Sequence, residues 1–191
     1  TINQVNEEGE PVTTTGTATG PISGDGGIFK DGKGTLVLNN TANTFTGGVD
    51  IKGGTVLVTD SGALGTSGTR NVNVENGSSL AFAVGDSANY TVNTVSVSSG
   101  SSLVFSGTNQ LHIDTLNITA ASAMDLTNIS LDNYGSYVLA TVDSFVPAEV
   151  GIWKPGKNLV EFVSMIGIHG SALTPDSLVS LYYEGDQLVL K

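Results

Sequence analysis

The sequence predicts an all-β chain: a parallel β-helix, or β-solenoid, of about four to five rungs, closed by a β-rich C-terminal cap. Three observations lead there. Apolar pairs at Leu36/Leu38, Val56/Val58, Leu80/Phe82, Leu103/Phe105 and Met124/Leu126 recur after 20, 24, 23 and 21 residues. A second series, Val49/Ile51, Val72/Val74, Val95/Val97 and Leu116/Ile118, recurs after 23, 23 and 21 residues, the same period at another position of each repeat. Gly, Ser, Thr and Asn crowd the spaces between, and only 13% of residues are charged, a mixture that favours short strands and tight turns over helices. A fixed period of roughly 20 to 50 residues marks stacked units, none of which buries its apolar side alone.

Taken in order, residues 1–21 are polar, hold Glu7, Glu8 and Glu10, show no apolar period and read as an extended lead-in. The pattern starts at Ile22 with a short strand around Ile28 and Phe29, and glycines punctuate it where the chain turns. Residues 22–127 are predicted to be the β-helix, each rung holding two or three short strands. Along a strand, residues i and i+2 share a face, so the paired residues fill the interior and the residue between them points outward. In the second series the outward residues are Asp50, Asn73, Ser96 and Asn117, a polar column suited to water. In the first they are Val37, Leu57, Ala81 and Val104 before Asp125 ends the run, which reads as a face covered by the C-terminal segment or by another chain, with the surplus surface valines of a β-rich sequence as the alternative. From about residue 128 the period lapses, and residues 128–191 read as the cap. Its strand-like runs are 137–140, 159–163, 178–183 and 187–190, the last two joined by a hairpin turn at Glu184-Gly185-Asp186. A solenoid needs such a cap because its terminal strand edges otherwise template aggregation.

One stretch carries a family pattern. Gly34-Thr35-Leu36-Val37-Leu38, Asn43-Thr44-Phe45-Thr46-Gly47-Gly48, Ile51, Gly53-Gly54-Thr55-Val56-Leu57-Val58 and Ala63-Leu64-Gly65 together resemble the autotransporter-associated β-strand repeat, also called the passenger-associated transport repeat. Flanks at residues 28–34 and 72–80 extend the likeness, which covers roughly 22–105 and thins beyond. The resemblance implies a right-handed parallel β-helix in a bacterial surface or secreted passenger, where the repeat serves as stalk and assists export and folding without catalytic residues. Only one full-strength copy is present, and no membrane barrel follows within the sequence. In the repeat, Phe45 is expected as a corner aromatic beside the glycine pair.

Composition excludes several classes of partner. A net charge of −11 with a single arginine leaves little to neutralise phosphates, so nucleic acid and anionic membrane are not expected partners. The absence of cysteine removes disulfides, thiolate nucleophiles and cysteine-based metal sites. Neither an apolar run near 18 residues nor a basic-then-apolar start is present, so any membrane attachment is expected through an anchor outside this chain.

Candidate chemistry is sparse. Parallel β-helices can carry polysaccharide lyases and hydrolases built on clustered carboxylates. Here Asp50, Asp60, Glu75 and Asp86 read as dispersed and solvated, with no two carboxylates at one position on adjacent rungs of the well-registered series. Asp25 and Asp31 lie among glycines but lack the nonapeptide spacing of a calcium β-helix, so turn chemistry is expected there. His112 and His169 are far apart, and no partner at ligand spacing is recognised for either. Trp153, Tyr182 and Tyr183 are assigned to the core of the cap, with sugar stacking as the alternative. The Asn-x-Ser/Thr triplets at Asn39, Asn76, Asn89, Asn117 and Asn128 read as compositional. The expectation is therefore no catalytic residue, no metal and no cofactor, in a non-enzymatic stalk or adhesion module at a bacterial cell surface. Host or environmental glycans or proteins are its expected partners, with self-association through the apolar face. The alternative is a β-helical polysaccharide-active enzyme or its glycan-binding module.

Overall fold

The computed structural model describes residues 15–83, 90–105, 111–119, 121–127, 129, 135–147, 164–166 and 180–191, among which there is no helix. The first coil holds β1 (Thr15–Ala18), β2 (Ser23–Gly24) and β3 (Ile28–Lys30); the second holds β4 (Thr35–Leu38), β5 (Thr44–Phe45) and β6 (Val49–Ile51). Each later coil has two strands: β7 (Thr55–Val58) with β8 (Asn71–Val74), β9 (Ser79–Phe82) with β10 (Tyr90–Val97), β11 (Ser102–Val104) with β12 (Leu111–Ile118), and β13 (Ala123–Asp125) with β14 (Tyr137–Pro147). After β15 (Ser164–Ile166) the chain ends in a hairpin of β16 (Leu181–Glu184) and β17 (Gln187–Leu190).

These coils stack into a parallel β-solenoid. One sheet runs β1-β4-β7-β9-β11-β13-β15; the other runs β3-β6-β8-β10-β12-β14 and then continues through β17 to β16. Register aligns the periodic residues of the sequence one above another: Leu36, Val56, Leu80, Leu103 and Met124 in the first sheet, and Val49, Val72, Val95, Leu116 and Phe145 in the second. Both columns point into one continuous core, in which Ile51, Val56, Val72, Leu80, Leu103, Leu116 and Ile118 are fully buried. Each such burial stabilises by about 1.5 to 3 kcal/mol. The stack therefore needs no disulfide.

Polar side chains and glycines set the corners. Asn43 is buried and links three coils, its Oδ1 accepting the Ile22 N–H at 2.8 Å while its Nδ2 donates to the Ala63 carbonyl at 2.8 Å. Phe45 packs beside it in the core, at the corner assigned to it by sequence. Gly27 and Gly47 sit so close that a Cβ on Gly47 would lie 2.5 Å from the Gly27 nitrogen. Only glycine permits that approach.

Two features depart from the sequence boundaries. β1 lies inside the stretch read as a lead-in, yet its four residues pair in register with residues 35–38. The ladder also continues past residue 128, because β14 pairs in parallel with β12. Phe145 follows Leu116 in the inward column after 29 residues (145 − 116), against the 21 to 23 separating earlier members, so the period is lost while the register is kept. The terminal hairpin then changes direction. β17 runs antiparallel to β14, and Gly185 and Asp186 take φ of 55° and 60°, the pair of positive values that a tight two-residue turn requires. The strand-like run at 159–163 lies outside the described residues.

On the outer side of the first sheet, Val37 and Leu57 are half-buried, and Ala81 and Val104 are only 7% and 9% exposed although neither belongs to the core cluster. That face is shielded at those two rungs.

Candidate functional site

The second sheet bends midway. In β10 both Val92 and Val95 face inward and the intervening Asn93 and Thr94 turn the corner; Asp114 and Thr115 do the same in β12, between Ile113 and Leu116. Adjacent strands of one sheet lie about 4.8 Å apart, so identical corner positions bring their side chains together. Asn93 Oδ1 accepts the Arg70 N–H at 3.1 Å, and Asn93 Nδ2 donates to Asp114 Oδ2 at 2.7 Å. Arg70 is itself engaged, its Nε donating to the Gly65 carbonyl at 2.9 Å and its Nη1 to the Thr91 carbonyl at 3.2 Å.

The next coil adds Asp143, which falls between Val142 and Ser144, the register partners of Ile113 and Thr115. His112 stands two residues before Asp114 and so projects from the same side of β12. Its Nε2 lies 3.1 Å from Asp143 Oδ2 and 3.6 Å from Asp114 Oδ1. The three side chains are 43%, 43% and 56% exposed for His112, Asp114 and Asp143, yet the Nε2 atom is shielded from water and makes no hydrogen bond. Among the described residues this is the one group of three or more side chains with metal-ligand chemistry within mutual reach.

This cluster corrects one expectation. His112 has partners at ligand spacing, because Asp114 on its own strand and Asp143 at the matching position of the next coil, beyond the well-registered series, both reach it. The His112-x-Asp114 spacing was a legible signal, since alternate residues of a strand share a face. Asp143 was not legible, because its coil falls outside the period.

Other candidates resolve into structure. Asp50 and Asn73 form one step of the polar column through an Asn73 Nδ2–Asp50 Oδ1 hydrogen bond of 2.7 Å, and Asn117 Nδ2 donates to Ser96 Oγ at 3.1 Å in another. Glu75 pairs with Lys52 at 2.5 Å, and Asp60 accepts from Thr59 Oγ1 at 3.4 Å. Asp31 Oδ1 accepts the Gly32 N–H at 2.7 Å, which is turn chemistry. Beside it the Lys30 ammonium, on a side chain only 3% exposed, donates to the carbonyls of Asp31, Gly32 and Gly53 at 3.1, 2.7 and 2.8 Å. Burial holds its pKa below the ordinary lysine value, opposed by the nearby Asp31 charge. A lysine thus fills the loop that the sequence compared with a calcium site.

In the hairpin, Tyr182 lies under the Lys191 ammonium, 5.3 Å from its ring centroid. Tyr183 stacks on Phe145 with centroids 5.3 Å apart, and its hydroxyl donates to the Val142 carbonyl at 2.9 Å. Both tyrosines serve the packing of the hairpin. Asn76 occupies a turn with φ of 55°. Asp86, Asn89, Asn128, Trp153 and His169 lie outside the described residues.

The model of one protein family, the passenger-associated-transport-repeat, matches residues 28–58. The match falls on the stretch whose sequence resembles that repeat. The span runs from β3 to β7, one full coil with a strand on either side. It includes the Lys30 cradle and the Phe45 corner. No curated protein and no solved structure matches the chain. The repeat is a structural unit and contains no member of the His112–Asp114–Asp143 cluster.

Proposed function

We propose that this chain is a non-enzymatic segment of a bacterial cell-surface or secreted passenger, serving as a rigid stalk or adhesion module. The observation that carries this reading is the transport repeat at residues 28–58, seated within a β-solenoid; together they fit an autotransporter passenger-type β-helix. Physical chemistry supports it. Each coil buries its apolar side only against its neighbours, so the rod can assemble coil by coil without an oxidant or cofactor. Binding partners, of glycan or protein character, would meet its outer faces.

Display tests the reading. With the chain fused to an outer-membrane barrel in a Gram-negative host, intact cells should present a protease-resistant fragment, and deleting residues 28–58 should reduce the displayed amount several-fold. Equal display of the deletion variant would remove the role assigned to the repeat. A polysaccharide-active enzyme is the second reading, favoured by the Asp114–Asp143 pair on the outer face. Incubation with bacterial and host glycans distinguishes the two: no new reducing ends or unsaturated products are expected, and their appearance with loss in Asp143→Asn would establish the enzyme.

A further inference from the structure

We propose that His112, Asp114 and Asp143 bind a divalent transition-metal ion of the zinc class on the outer face of the second sheet. One ligand atom from each residue lies within 4.8 Å of the other two. An ion bonded to such atoms at about 2.0 to 2.2 Å brings neighbouring ligand atoms to roughly 3.0 to 3.5 Å from each other. The observed separations from His112 Nε2, 3.1 Å to Asp143 Oδ2 and 3.6 Å to Asp114 Oδ1, require only a small adjustment.

A second observation also points to a bound group. His112 Nε2 is shielded from solvent and has no hydrogen bond, while carboxylate oxygens approach it from two coils. A shared cation placed between these three groups would give each of them a ligand partner at once. The imidazole selects the class of ion. Calcium, magnesium and manganese prefer oxygen shells, whereas an imidazole in the set suits zinc, copper, iron and nickel. Outside the ligands, Asn93 Nδ2 holds Asp114 Oδ2 at 2.7 Å and leaves Oδ1 turned to the site, the kind of support that orients a metal-bound carboxylate.

Placement gives the ion a consequence. His112 and Asp114 belong to β12 and Asp143 to β14, so the ion would clamp the last coil within the period to the coil that carries the terminal hairpin. Three protein ligands leave at least one coordination position for water or for an oxygen atom of a partner.

Calorimetric titration of the full chain with zinc chloride tests the proposal, with manganese chloride and calcium chloride as comparisons. One transition ion per chain is expected, bound at least tenfold more weakly by His112→Gln and by Asp143→Asn, and unchanged by Asp50→Asn on the same sheet. In the wild-type protein, zinc should shift the His112 imidazole nitrogen resonances, a readout independent of whether any variant folds. Absence of binding, equal affinity for calcium, equal affinity of His112→Gln in a folded state, or an unmoved His112 resonance would each overturn it.

Discussion

The coil at residues 28–58 and the coil formed by β13 and β14 bury the same kind of core, but they hold their corners differently. In the first, short corners force backbone against backbone: Gly27 and Gly47 touch, Asn43 bridges three coils, and the Lys30 ammonium is caged by three carbonyls. In the second, the excursion between strands is longer, and order comes from β14 itself, an eleven-residue strand paired on one side with β12 and on the other with the hairpin. The contrast shows that a solenoid's repeat length is a property of its corners. The sheets require only that inward residues arrive in register, and they tolerate a long detour before doing so.

The comparison can be broken at several points. Phe45→Ala removes a buried ring from the tight coil and should cost about 3 to 5 kcal/mol in urea unfolding. Because coils couple mainly to their neighbours, hydrogen exchange should accelerate in β4–β6 while amides of β12, β14 and β17 keep their protection. Uniform loss of protection would mean that the two regions unfold as one unit. Leu188→Ala, at a fully buried position of the hairpin, should cost about 2 to 5 kcal/mol and leave the edge of β14 poorly covered. Light scattering should then detect growth in mass; a stable monomer would show that the hairpin is not what protects this edge.

Smaller effects sharpen the picture. Lys30→Met keeps the length of the side chain but strands the carbonyls of Asp31, Gly32 and Gly53, for an expected loss of about 1 to 3 kcal/mol by chemical denaturation. An unchanged midpoint would indicate that water replaces the ammonium. Least affected should be Tyr90→Phe. The Tyr90 hydroxyl is buried without a hydrogen-bond partner while the ring packs on Phe82 at 5.3 Å, so its removal should be neutral or stabilise by up to about 1 kcal/mol. Burial, with the Asp60 charge, raises the Tyr90 pKa above 10.0, and the folded state therefore keeps its proton where the unfolded chain loses it. The Tyr90 contribution is thus fully present below pH 10 and is lost as pH rises beyond it. Tyr90→Phe should flatten the fall in stability there in part, leaving the share due to Tyr183, whose pKa is raised as well.

Stacking of Val49, Val72 and Val95, the buried position of Phe45 and the turn at Gly185-Asp186 were all legible along the chain. Each depends on local spacing: alternation decides which face a strand residue takes, and positive φ selects the turn residues. The strand at Thr15–Ala18 was hidden because a polar TGTA segment has no apolar signature and is ordered only by pairing with β4. Lys30 was overlooked for a related reason, since a charged side chain enters the interior only where several carbonyls converge, and that convergence requires two coils to be in place.

Periodicity alone therefore dictated the architecture, because aliphatic groups recurring at one interval can be buried together only by winding the chain about a common axis. Where the coil of β14 would land, and hence the meeting of Asp143 with His112 and Asp114, was decided by ladder hydrogen bonds between strands that no interval in the sequence connects. A side chain's face is set by its immediate neighbours in the chain. Its partner on the next coil is set by register across a corner whose length is free to vary.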